Sequence, residues 1–314
     1  MSLLVAENLV KRYGSMLAID NVSFSLEAGE PIALIGPNGA GKTTLLSLLC
    51  GFIRPTSGSL RVLGQASGSR ALVGRIGALP QDASLDPRFS VRRQLTLLAR
   101  LQGMDGKDAA AEVERVLDVV RLGDAAGKSY AAMSHGMRKR ISLAQALLGS
   151  PECVLLDEPT AGIDPPNAKI IRDLVRQLSD RTTFLISSHN LDELERLCNR
   201  VLYLDNGKLV HSGSEMLEDD TANEGVLTVR LASSVPEAEF VAACRAIEGV
   251  VSVQRVAQGD YQLRHVSAAE ADSPTSAVDI ALLEMLAARG WSYRCLVKGR
   301  SLEERLYGEA ISAV

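Results

Sequence analysis

The sequence predicts an α/β protein in two parts: a helix-covered, largely parallel sheet with an inserted helical stretch, then a small α+β unit of the ferredoxin-like kind. Three observations predict it. Short apolar runs such as Pro31-Ile-Ala-Leu-Ile35, Cys153-Val-Leu-Leu156 and Thr183-Phe-Leu-Ile-Ser187 have the length of strands buried on both faces of a parallel sheet, and each ends in a polar loop. Between Gln81 and about Ala132 apolar residues recur instead at helical spacing, as in Val91, Leu95, Leu98 and Leu101, then Val113, Val116, Leu117 and Val120. After Gly213 the composition turns acidic and polar, and alternation in Val226-Leu-Thr-Val-Arg-Leu231 opens a new unit.

These shifts divide the chain into a first domain at residues 1–215 with its helical insertion at about 82–132, a linker at 216–225 and a second domain at 226–314. The second domain reads strand, helix from Pro236, strand at Val250 to Val256, strand at Tyr261 to His265, helix from Ser276 and strand at Ser292 to Val297. That order is a split βαβ pattern. A length of 314 residues suits about two domains. With 46% hydrophobic and 23% charged residues the balance is that of a globular protein, and a net charge of −4 argues against a nucleic-acid footprint over the whole protein. No apolar run approaches the roughly 18 residues that cross a bilayer. The start, Met1 to Asn8, lacks a basic segment followed by an apolar one, so no signal peptide is expected. The five cysteines, Cys50, Cys153, Cys198, Cys244 and Cys295, lie far apart without metal-site spacing and are expected to be buried, reduced thiols.

The sharpest signal is Gly36-Pro37-Asn38-Gly39-Ala40-Gly41-Lys42-Thr43-Thr44, which follows an apolar strand and opens the helical run Leu45-Leu-Ser-Leu-Leu49. This is a full Walker A loop in its strand–loop–helix setting. Its glycines let backbone N–H groups turn inward as an anion cradle, the helix presents its positive end, and Lys42 neutralises the outer phosphates. Thr43 is placed to offer its hydroxyl to Mg²⁺. Further on, the strand Cys153-Val-Leu-Leu156 ends in Asp157-Glu158-Pro159. Two carboxylates at a buried strand end need a cation or hydrogen bonds to meet them. Asp157 is expected in the Mg²⁺ shell and Glu158 as the base that polarises the attacking water.

With both Walker motifs present the chain resembles the ATP-binding cassette (ABC) ATPases over roughly Leu3 to Gly213. The resemblance implies ATP and Mg²⁺ as ligands and extends to further positions. Tyr13, in Lys11-Arg-Tyr-Gly14, stands where the family stacks an aromatic on adenine. Gln81, in Leu79-Pro-Gln-Asp82, matches the Q-loop that senses Mg²⁺ and the γ-phosphate. Ser134-His-Gly136 matches the core of the signature that meets the γ-phosphate held by a second subunit, Asp164 matches the D-loop, and His189 in Ser187-Ser-His-Asn190 matches the switch histidine. The signature departs from the common Leu-Ser-Gly-Gly-Gln by reading Met133-Ser-His-Gly-Met137, and with the following Arg138-Lys-Arg140 it resembles the ABC-2-type exporter ATPases. Partners implied are an integral membrane permease and a second ATPase subunit, most simply another copy of this chain, with no nucleic acid, at the cytoplasmic face of a membrane. The alternative is a soluble ABC ATPase acting as a nucleic-acid or ribosome-associated switch, which in the family fuses two cassettes or inserts a long coiled coil. The second domain carries no comparable motif: Arg255, Arg264, Arg294, Lys298 and Arg300 read as a solvated basic strand face, and the Ser301-Leu-Glu-Glu304 stretch resembles one found after small domains in exporter-type ATPases.

Overall fold

In the computed structural model, residues 2–213, 224–232, 235–257, 259–266 and 277–298 are described. The chain forms two compact units, Met1–Ser214 and Glu215–Val314.

The first unit opens with the long hairpin β1 (Ser2–Tyr13) and β2 (Met16–Glu27), then β3 (Ile32–Ile35) and α1 (Lys42–Leu49). The short strands β4 (Ser57–Val62) and β5 (Gln65–Ala66) extend the hairpin to a four-stranded antiparallel sheet in the order β2-β1-β4-β5. The second sheet is built from β3, β6 (Ile76–Leu79), β7 (Cys153–Asp157), β8 (Thr183–Ser187), β9 (Arg200–Asp205) and β10 (Lys208–Gly213), in the order β10-β9-β3-β8-β7-β6. All its pairings are parallel except that of β10 with β9. Every residue of β3, β7 and β8 is buried, as continuous apolar runs require when both faces are covered. Leucines from α1 and residues of both sheets share one core that includes Leu45, Leu48, Leu49, Leu155, Leu185 and Leu202.

The helical insertion consists of α2 (Val91–Leu101), α3 (Gly106–Val119) and α4 (His135–Ala146), packed on one another. The expected bounds of about 82–132 take in α2 and α3; α4 follows them and packs on both and also on β6 and α5, joining the inserted helices to the parallel sheet. Serine and aspartate caps define the helix starts: Ser90 Oγ accepts from Arg93 N at 3.4 Å, and Asp105 Oδ1 accepts from Lys107 N at 2.8 Å. The remaining helices of this unit are α5 (Pro165–Leu178), which buries Ile171, Leu174 and Val175, and the short α6 (Leu191–Glu195).

The second unit consists of β11 (Glu224–Leu231), α7 (Glu237–Arg245), β12 (Val250–Ala257), β13 (Asp260–Val266), α8 (Ala277–Ala288) and β14 (Tyr293–Lys298). Its antiparallel sheet has the order β12-β13-β11-β14, with the first strand between the third and the last, which is the split βαβ arrangement. Phe240, Tyr261, Leu263, Leu282 and Leu286 lie in its core, and the Phe240 and Tyr261 ring centroids are 4.3 Å apart. Of the stretch read as a linker, 216–223 lies outside the described residues, whereas Glu224 and Gly225 already belong to β11. Residues 267–276, between the expected strand at Tyr261 to His265 and the following helix, also lie outside them, as do the Ser301–Glu304 stretch and Arg300. The basic strand face is more paired than expected: Arg255 bonds Glu237 at 2.6 Å, and Lys298 pairs with Asp279, which is buried. All five cysteines are free thiols, but Cys295 is exposed and Cys50 only half-buried, against the expectation of burial throughout.

Candidate functional site

Strand order gathers the chemistry. Because β3, β8, β7 and β6 are neighbours in one parallel sheet, the loops leaving them lie along a single edge. These loops carry the Gly36–Thr44 turn, His189, the Asp157-Glu158 pair and Gln81. A cleft of about 580 Å³ opens there, lined by the 38–44 loop together with Gln81, Asp157, Glu158 and His189.

No side chain caps α1, whose N-cap is Gly41, so the N–H groups of its first turn are left for a ligand. Gly41 holds φ +105°, and a Cβ there would fall 2.6 Å from the Ala18 carbonyl oxygen; the tight start of the helix therefore requires glycine. The Lys42 ammonium folds back on its own loop, donating to the carbonyls of Gly36 at 2.6 Å and Pro37 at 3.1 Å. Burial lowers the Lys42 pKa below the usual lysine value, while the carboxylates of Glu158 and Asp157 oppose that shift.

The carboxylate pair is held by the neighbouring strand. Ser187 donates its hydroxyl to Asp157 Oδ1, and Glu158 N donates to both the Ser187 carbonyl at 3.1 Å and its Oγ at 3.2 Å. Glu158 adopts φ +50°, a left-handed setting that costs a residue with a side chain about 1–3 kcal/mol. The turn brings Glu158 Oε2 to 2.8 Å from His189 Nδ1, with the carboxylate nearly buried and the imidazole largely exposed. Ser187 is a residue that sequence reasoning missed, since the end of an apolar strand reads as packing. Glu193 is another: it accepts from Thr160 Oγ1 at 2.7 Å and pairs with Arg172 at 3.2 Å, joining α6 to the turn after Glu158.

Three expected residues stand elsewhere. Ser134, Gly136 and Asp164 do not line the cleft; they cluster where α4 and α5 begin. Ser134 Oγ accepts from Met137 N at 3.3 Å, and a Cβ on Gly136 would fall 2.5 Å from Asn167 Cγ. Asn167 Nδ2 in turn donates to Asp164 Oδ1 at 2.7 Å, and that bond, ahead of other causes, lowers the Asp164 pKa. Tyr13 also lies outside the cleft lining: it is 43% exposed at the hairpin tip, with Lys11 Nζ 4.9 Å from its ring centroid. Its cross-strand partner Met16, which the sequence reading passed over, does line the cleft and is 61% exposed.

An uncapped helix start behind a glycine-rich turn, a lysine within it and paired carboxylates on a neighbouring strand define a nucleoside-triphosphate site of the P-loop class. Residues 19–161 match the family model described as ABC transporter. The chain is 39% identical over 210 residues to the Nod factor export ATP-binding protein I of Burkholderia orbicola (strain AU 1054), covering 66% of this chain and 69% of that protein. With the protein of the same name from Paraburkholderia xenovorans (strain LB400) it shares 37% over 211 residues, again 66% and 69% of the two chains. A solved structure described as the ATP binding subunit of an ABC transporter superposes with a TM-score of 0.61 at 28% identity, covering 67% of this chain and 89% of that one. The chain belongs to the ABC transporter ATP-binding family: it is an ATP-binding subunit, with the ATPase activity of that family. Subunits of this family work with a transmembrane permease and dimerise. No helix among the described residues is long and apolar enough to cross a membrane.

Proposed function

We propose that this subunit hydrolyses Mg²⁺-ATP in a site shared by two copies of the chain and so drives export through a separate permease. The observation that carries this reading is the separation within one chain of the Lys42 cleft from the Ser134–Gly136–Asp164 cluster. Gly36 to Thr44 hold the phosphates through the uncapped start of α1, and Lys42 leaves its loop carbonyls to neutralise them. Thr43, Asp157 and Gln81, all lining the cleft, are the residues suited to a hard cation with oxygen donors. Mg²⁺ bound there supplies positive charge to the phosphate oxygens. Glu158 accepts the proton of the attacking water while His189, at 2.8 Å, orients its carboxylate and reaches toward the outer phosphate. Tyr13 and Met16 at the hairpin tip form the platform for the base.

Ser134, Gly136 and Asp164 of a second copy close over the nucleotide, making hydrolysis conditional on closure. The export direction is supported by the relatives named for export and by the Met133-Ser-His-Gly-Met137 turn. Association with the cytoplasmic face of a membrane then comes through the permease. The test is affinity purification of the chain from detergent extracts of its native cells: an integral membrane protein at fixed stoichiometry, raising ATP turnover, is expected. Recovery with ribosomes or nucleic acid instead contradicts the transporter mechanism.

A further inference from the structure

The loop that carries Gln81 is gripped from the side by the helix that begins at Ser134. Lys139 of α4 donates from Nζ to the Gln81 carbonyl oxygen at 3.0 Å. Three residues on, along the same helix face, Ser142 Oγ lies 3.3 Å from the Ala83 carbonyl and shares its proton with the Arg138 carbonyl of its own helix at 3.1 Å. Between these two clasps the loop closes on itself, with Ala83 N donating to the Pro80 carbonyl at 3.1 Å. Burial lowers the Lys139 pKa below the usual lysine value, while the carboxylates of Asp82, Asp157 and Glu158 oppose that shift. One rigid helix thus presents the Ser134–Gly136 turn at its start and, a turn later, holds the main chain of a residue that lines the cleft of its own chain.

We propose that Lys139 is a positioning residue for hydrolysis: by holding the Gln81 carbonyl it sets the reach of the Gln81 side chain into the cleft and makes that setting follow the position of α4. The inference rests on the reading of Gln81 as part of the Mg²⁺-binding set. A movement of α4 when its first turn meets the nucleotide of a second copy is then transmitted to the chain's own cleft. The two sites of a dimer become coupled through one helix in each copy.

The test uses the full chain and two readouts: steady-state ATP turnover with Mg²⁺, and amide hydrogen exchange without nucleotide. Lys139→Met is expected to lower kcat about tenfold with KM for ATP and Tm nearly unchanged, as loss of positioning does, and Lys139→Arg to restore kcat to within about threefold. Exchange should quicken over residues 81–84 but not at Asp86, whose N–H is held separately by Gln94 Oε1 at 2.7 Å. Unchanged exchange over 81–84, or equal losses in Lys139→Met and Lys139→Arg, overturns the proposal. If Gln81→Ala is slow while Lys139→Met turns over normally, the proposal alone fails. If Gln81→Ala turns over as wild type, the reading of Gln81 fails and the proposal with it. Should Lys139→Met not fold, Ser142→Ala must produce the same quickened exchange over 81–84, and its absence has the same overturning force.

Discussion

The Lys42 loop and the Ser134 turn both open helices, yet they treat the first N–H groups of those helices in opposite ways. At α1 no side chain caps the helix, and the cleft in front of it is lined by Asp157, Glu158 and Gln81 of the same chain. At α4 the Ser134 hydroxyl already accepts from Met137 N, and the turn is backed by Asn167 rather than facing a cleft. An uncapped helix end carries a standing demand for an anion, whereas a capped one is satisfied until its serine is drawn to a better partner. On the proposed function the α1 side is then the half that binds nucleotide, and the α4 side the half that a second copy contributes on closure.

Substitutions on the α1 side should therefore act within one chain, and the largest effect is expected at the base. Glu158→Gln keeps shape while removing the proton acceptor, so turnover should fall by roughly 10² to 10⁴ with ATP binding retained. Steady-state rates beside a nucleotide-binding isotherm check this, and turnover within a few fold of wild type takes the base role from Glu158. Lys42→Ala should act on binding instead: the cleft loses the one charge placed inside the 38–44 loop, and ATP affinity should drop on the order of tenfold to a hundredfold. An unchanged isotherm removes the phosphate role of Lys42. The smallest effect belongs to the hairpin tip. Stacking on one base is worth about 1–3 kcal/mol, so Tyr13→Ala should weaken ATP about tenfold and leave kcat at saturation nearly intact. If Met16→Ala weakens ATP while Tyr13→Ala does not, the platform is Met16, which lines the cleft.

How far the residues alone reveal this arrangement differs between its parts. The Gly36–Thr44 loop was legible because its chemistry is local: the same nine residues make the turn, the cradle and the start of α1. The buried strands β3, β7 and β8 were legible because burial on both faces leaves an unbroken apolar run. Ser187, Lys139 and Asn167 were not, since each matters only through a contact that sheet order or helix packing creates. Ser187 reaches Asp157 across two adjacent strands, Lys139 reaches Gln81 from a helix 58 positions away, and Asn167 backs Gly136 from α5. The packing of α4 was not legible either: a serine before a helix marks a start, but not which elements that helix meets, and α4 packs on β6 as well as on α3.

On the proposed function the α1 side of one copy is completed by the α4 side of another. Chains carrying Lys42→Ala and chains carrying Ser134→Arg should each be inactive alone, and mixing them is the most direct measurement. In a random mixture half of the dimers pair the two variants, and one site in each such dimer joins an intact loop to an intact turn. ATP turnover should then recover to about a quarter of the wild-type rate if sites act independently. No recovery in a sample shown by cross-linking to contain mixed dimers, or full activity of the wild-type chain as a strict monomer, contradicts the shared site.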